Sequence, residues 1–186
     1  MEAIRTLGHG TLAEDEFLAV VRDADLEAIV DVRRFPGSRR NPQYSVEEMA
    51  KWLPERGVEY RWLSSLGGRR KPVWESPNTG LRNEQFRAYA DHMTSDEFVE
   101  GITELCALTR IRRLAVMCAE SVWWRCHRRL LADHLVLIEQ MRVEHLFHDG
   151  RLAEHVPMPE ARRVEDDLVY VSTSSQPISS MPASRK

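Results

Sequence analysis

Apolar positions along this chain change their period several times, and each change marks an element. Ile4 to Leu7 is a short apolar run closed by Gly8-His9-Gly10, which predicts a strand entering a tight loop. Leu12, Phe17, Leu18, Val20 and Val21 follow at helical spacing, with Thr11 as the predicted cap. Leu26 to Val32 reads as the next strand. Strand, helix and strand thus form a βαβ unit, whose crossover is right-handed. After a polar loop over 33–42, Ser45 and Glu48 predict a capping box for a helix reaching about Arg56. Val58 to Leu63 alternates as a third strand. Residues 64–81 carry no period, and so long a loop points to function or disorder. A helix is predicted over Asn83 to His92, and another opened by Thr94 and Glu97 carries Phe98, Ile102, Leu105 and Cys106. Leu114 to Cys118 is continuously apolar, as suits a strand buried on both faces of a parallel sheet. His127, Leu130, Leu131, His134, Leu135 and Ile138 then fall on one helical face. Arg142 to Phe147 is a fifth strand, ending in His148-Asp149-Gly150.

This order predicts an α/β fold: a single three-layer domain over 1–163, with a mainly parallel sheet of about five strands and helices on both faces. Residues 164–186 run from an acidic patch into Ser/Pro-rich sequence without period, and a flexible C-terminal tail is expected there. A length of 186 residues suits one domain with a real core. The net charge of −3 excludes a globally basic nucleic-acid binder, so local clusters carry any such argument. Three cysteines, an odd number in apolar or helical contexts, point to a reducing compartment. Met1-Glu2 leads straight into a strand, so no signal peptide is expected, and no apolar run approaches the roughly 20 residues of a membrane span. A soluble, cytoplasmic protein is expected.

The polar clusters all follow strands. His9 follows the first, Asp31 and Arg33 the second, Gly67 to Lys71 the third, Cys118 and Glu120 the fourth, and His148 the fifth. A parallel sheet gathers such loops at one edge, where open α/β sheets hold ligands. Glu120, beside Trp123 and Trp124, is the candidate general acid or base, if apolar surroundings raise its pKa; the plain alternative is a solvated loop acid. His9 or His127 would be its partner, although His127 on an apolar stripe also reads as a core histidine. Cys118, near a helix start, is a candidate thiolate. Against that, Glu120 lies close and six residues separate it from Arg125, so a buried, inert thiol is the competing reading.

Arg33, Arg39, Arg40, Arg69, Arg70, Arg82 with Asn83, Arg125 and Arg128 form the candidate anion clamp. Trp123 is a stacking surface for a planar ligand. Arg125 and Arg128 at a helix start oppose the favourable dipole direction, so an anion or Glu120 is expected to compensate them. The bland alternative is salt bridges to the 29 acidic residues. Cys118, Cys126, His127 and His9 offer zinc donors, but the paired C-x2-C knuckle is missing. No cofactor is expected.

The motifs TLGHGT (6–11), VDVRRFPGSRRNPQYS (30–45), LGGRRKP (66–72), LRNEQFRAYADHM (81–93), MCAESVWWRCHRRLLA (117–132) and HDGRLAEH (148–155) resemble the family called domain of unknown function 488. The resemblance covers about Ile4 to Arg163 and implies a compact α/β domain without supplying an activity. The Asp-Val-Arg segment and a cysteine after a later strand are also loosely similar to rhodanese domains. The sequence reading is an enzyme, a hydrolase or transferase, acting on a phosphate-bearing ligand such as a nucleotide or nucleic acid. Its alternatives are a non-catalytic nucleic-acid-binding module and rhodanese-like sulfur transfer through Cys118.

Overall fold

In β4 (Leu114–Cys118), Leu114, Val116 and Cys118 face one side of the sheet, Ala115 and Met117 face the other, and all five are buried. The computed structural model describes residues 3–37 and 40–172. Around β4 it places β1 (Ile4–Gly8), β2 (Ala28–Asp31), β3 (Glu59–Trp62), β5 (Val143–Leu146) and β6 (Leu152–Glu154), in the order β3-β2-β4-β1-β5-β6. The first five in that order pair in parallel, and β6 adds an antiparallel edge to β5.

Alternation within the strands builds two cores, one on each face. Leu7, Ile29, Ala115 and Met117 pack against α1 (Glu14–Asp23) and α2 (Val46–Glu55) through Phe17, Leu18, Met49 and Leu53. Ile4, Ala28, Val30 and Val116 pack against α3 (Glu84–His92), α4 (Asp96–Thr109) and α5 (Arg128–Leu137) through Tyr89, Phe98, Leu105, Leu130 and Leu135. The chain steps outward from β1 to β2 and β3, with α1 and α2 on one face. It then reverses, and β4 enters between β2 and β1 with the remaining helices on the other face. Neighbouring strands whose loops leave in opposite directions open a crevice at their carboxyl ends. Here that crevice lies above β1, β2 and β4.

Three local readings change. Thr11 does not cap α1; the Ala13 N–H donates to the Glu16 carboxylate at 2.7 Å, and the helix begins at Glu14. The cap of α4 is Ser95, whose hydroxyl accepts from Phe98 N–H, while Thr94 turns back to Asp91 O. Residues 164–172 are no tail: β7 (Ala161–Val164) and β8 (Asp167–Tyr170) form an antiparallel hairpin. Its anchor is Tyr170, fully buried, whose hydroxyl donates to Asp133 at 2.9 Å. Tyr170 N–H donates to Asn78 and Gly80 N–H donates to Tyr170 O, so the hairpin also fastens the long loop. The rest of the expected tail, 173–186, lies outside the described residues.

Asp133 is the end of a buried chain of hydrogen bonds. His155 Nε2–H donates to it at 2.7 Å, His145 Nε2–H donates to His155 Nδ1 at 2.9 Å, and Thr6 Oγ1–H donates to His145 Nδ1 at 2.7 Å. These directions leave every member paired. Tyr170→Phe removes one donor from a buried carboxylate, and we expect a loss of about 1–3 kcal/mol in denaturant unfolding. Truncation after residue 163 is expected to cost more; a truncated chain of unchanged stability would contradict the docking of the hairpin.

Candidate functional site

The crevice is a cleft of about 710 Å³, and His9, Arg33, Cys118, Glu120, Cys126 and His127 all lie on its wall. Two glycines bring its loops together. A Cβ on Gly8 would sit 2.0 Å from the Glu120 carbonyl oxygen, and one on Gly68 would sit 2.9 Å from His127 Nδ1. Only a residue without a side chain lets the β1 and β4 loops, and the 64–81 loop and α5, approach this closely.

One wall is a locked ion pair. Arg33 Nε and Nη2 donate to the two oxygens of Asp31 at 2.8 and 2.5 Å, and Nη2 also donates to Tyr44 O. Tyr60 donates its hydroxyl to the same carboxylate at 2.7 Å. Arg33 Nη1 donates to His9 Nε2 at 3.1 Å, which leaves the proton of His9 on Nδ1, donating to Gly10 O. The His9 ring stacks on Tyr44 with centroids 3.9 Å apart. Burial, then the Arg33 charge, lower its pKa to about 3, so His9 is neutral at physiological pH. It is a fixed acceptor rather than an acid.

The floor is made of sulfur. Cys118 ends β4, and Cys126 sits two residues before Arg128, the first residue of α5; their Sγ atoms are 2.7 Å apart. Cys118 Sγ accepts from Glu120 N–H at 3.3 Å, and Cys126 lies beside the backbone N–H and the guanidinium of Arg128. Burial pushes the Cys126 thiol up, but the hydrogen bond from Cys118 and the Arg128 charge outweigh it and hold the pKa at about 6. Cys118 gives the opposite result: its hydrogen bond to Cys126 and its burial raise it well above an ordinary thiol. His127 donates Nε2–H to Val32 O at 3.0 Å, which turns Nδ1, as an acceptor, toward Cys126 Sγ at 3.4 Å. Burial lowers the pKa of this imidazole, so it orients Cys126 as a neutral acceptor and is not a strong base. The sequence reading placed the nucleophile on Cys118 and did not weigh Cys126 for that role. The available signal was the run Cys-His-Arg at a helix start.

The other candidates separate. Glu120 lines the cleft but is exposed, and its carboxylate accepts from Val122 N–H at 3.2 Å; the apolar enclosure expected for it is not formed. Arg128 is wholly buried and donates to Glu120 O, to the backbone and not to the carboxylate. Arg70 is also buried, bound to the carbonyls of Ser64, Ser65 and Gly67 and to Glu97 at 2.8 Å. Arg33, Arg70 and Arg128 are therefore held inside the protein, where the expected clamp had them reaching for a ligand. Asn83 caps α3 through Gln85 N–H and Phe86 N–H, and neither it nor Arg82 or Arg40 lies on the cleft wall. The Trp123 face is already covered by His145, stacked at 3.7 Å. Arg39 lies outside the described residues. Arg34, which the sequence groups with Arg33, Arg39 and Arg40 in one loop, joins Arg69 and Arg125 on the wall. Among the described residues the guanidinium groups of Arg69 and Arg125 make no hydrogen bond or ion pair.

Cys118, Cys126 and His127 bring three metal-ligand atoms within 4.8 Å of one another. The set supplies three donors, and a four-coordinate zinc would need a fourth and a wider spacing of the sulfurs. Zn–S bonds of about 2.3 Å in a tetrahedron hold two sulfurs roughly 3.7 Å apart, whereas these are 2.7 Å apart and share a hydrogen bond. No helix is long and apolar enough to cross a membrane among the described residues.

The family model described as "Domain of unknown function DUF488" matches residues 14–135. That is well over half of the chain, and the chain belongs to this family. No curated protein matches it, and no solved structure does.

Proposed function

We propose that this member of a family whose description assigns no chemistry is an enzyme, that its nucleophile is the Cys126 thiolate, and that its ligand carries an anionic group such as phosphate. The observation that carries the reading is Arg128. Its guanidinium is 1% exposed, its Nε makes no hydrogen bond, and among the described residues no carboxylate forms an ion pair with it. A buried charge without a partner costs several kcal/mol. The two sulfurs are the charge partners within its reach, and we assign the ionised state to Cys126, which stands at the start of α5.

Around the mouth, Arg34, Arg69 and Arg125 present guanidinium forks suited to phosphate or carboxylate. A volume of about 710 Å³ suits a ligand the size of a small metabolite or a nucleotide. Glu120 lies at the rim, open to water, and its carboxylate is held by Val122 N–H. Sulfur transfer remains one form of this chemistry, with Cys126 in place of Cys118. A purely nucleic-acid-binding module gives no reason for a buried thiol pair against a buried arginine.

Iodoacetate and iodoacetamide separate the parts of this reading, because they differ by one charge and ordinary thiolates favour the neutral amide. We expect iodoacetate to alkylate Cys126 faster, inorganic phosphate to slow it, and the Arg69→Ala/Arg125→Ala double variant to restore the ordinary preference. One charge-assisted contact of about 1.5–3 kcal/mol corresponds to roughly a tenfold to hundredfold change in that preference. Preference for the amide with no effect of phosphate would refute the anion site. First labelling at Cys106 would refute the nucleophile.

A further inference from the structure

We infer that Cys118 is a resolving thiol, and that with Cys126 it forms a dithiol centre reducing disulfides of anionic thiol compounds. The inference rests on Cys126 being the nucleophile and adds a partner for it. A disulfide bond is about 2.05 Å long, so the two sulfurs, 2.7 Å apart, have only about 0.7 Å to close. Cys118 ends a central strand and Cys126 opens a helix packed on that sheet, so no segment has to refold for the bond to form. Both cysteines line the same cleft as Arg34, Arg69 and Arg125, which would hold the substrate's acidic groups. The remaining cysteine, Cys106, lies on α4 against Glu139 and Met141 and takes no part.

The steps balance. The Cys126 thiolate attacks one sulfur of the substrate disulfide, forming a mixed disulfide and expelling one thiolate. Cys126 is then neutral. The negative charge that held the proton on Cys118 has gone, while the Arg128 charge remains beside both sulfurs. Cys118 therefore ionises more readily at this stage than at rest, its proton passing to the departed thiolate. Its sulfur attacks Cys126 Sγ, the Cys118–Cys126 bond forms, and the second thiolate leaves and takes a proton from water. Two electrons pass from the dithiol to the substrate, which is released as two thiols. An external dithiol reductant returns the centre to its starting state by the same exchange in reverse.

The test uses dithiobis(nitrobenzoate), a disulfide with a carboxylate on each ring and a coloured thiolate product, on the full chain carrying Cys106→Ser. We expect two coloured thiolates released per chain, no retained adduct, and an internal disulfide by mass spectrometry. Adding Cys118→Ser should leave one thiolate released and an adduct held on Cys126. An adduct that persists with Cys118 present overturns the resolving role and leaves Cys126 as nucleophile. A chain in which Cys126 fails to react, or in which Cys126→Ser reacts equally fast, overturns both readings.

Discussion

Arg128→Met moves the midpoint of Cys126 alkylation up from about pH 6, by about two units or more. Methionine keeps much of the aliphatic volume and removes the charge. Burial alone pushes this thiol upward; without Arg128, only the Cys118 S–H and the helix amide oppose that push. Arg128→Lys, which retains a cation, should keep the midpoint well below that of an ordinary thiol. The full pH profile is the proper readout. A more basic thiolate is also more nucleophilic, with a Brønsted slope of about 0.4–0.5, so rates at a single pH hide much of the change. Methionine spares the cost of burying a charge, so the variant is expected to fold. An unmoved midpoint in Arg128→Met would show that the guanidinium does not set the thiol.

The second large effect is acid unfolding. Burial, then Arg33, lower His9 to about 3; burial, then His155, lower His145 to about 3; burial lowers His134 to about 4. In the unfolded chain each takes a proton near 6.5. Between that value and the folded one, the unfolded state binds more protons, so stability is complete above about 6.5 and is lost as pH falls. Each histidine contributes up to about 1.4 kcal/mol per pH unit, and the three together about 4. A domain holding on the order of 5–15 kcal/mol loses much or all of its margin by roughly pH 5 to 4. Cys126 acts in the neighbouring window with the same sign: its contribution is full above the ordinary thiol range and disappears as pH falls through about 6. Near-ultraviolet circular dichroism during acid titration should show one cooperative loss. A native signal surviving unchanged to pH 4 would mean that these histidines are not buried as neutral groups.

Much of the fold is legible in the sequence, for a specific reason. Four of the five parallel strands and the five helices bury continuous or periodic apolar sets, such as Leu114 to Cys118 and the stripe from Leu130 to Leu135, and β3 is flanked by the buried Val58 and Leu63. The missed pieces lack that signal. In β6 the three residues are at most half-buried, and β7 and β8 are four residues each, with Ala161, Leu168 and Tyr170 their only buried positions. Their stability comes from contacts distant in sequence, Tyr170 with Asp133 and Asn78. Gathering His9, Arg33, Glu120 and His127 in one place followed from strand ends and parallel pairing alone. How each side chain is used did not. Arg33, Arg70 and Arg128 look like surface arginines in the sequence, because a buried guanidinium is recognised only by the acceptors that surround it. Cys118 and Cys126 are likewise similar as letters. One sits at a strand end and the other just before a helix, and that difference appears only once the start of α5 is placed at Arg128.

The central claim is that Cys126 is ionised at neutral pH while Cys118 is not. Thiolates absorb in the far ultraviolet where thiols do not, so a pH titration of that absorbance reports ionisation without any reagent. With Cys106→Ser as background, the chain should show one transition centred near pH 6. Cys126→Ser should abolish that transition. Cys118→Ser should keep a transition but move it upward, because the hydrogen bond stabilising the thiolate is lost. A single transition above pH 8 that survives Cys126→Ser would contradict the account.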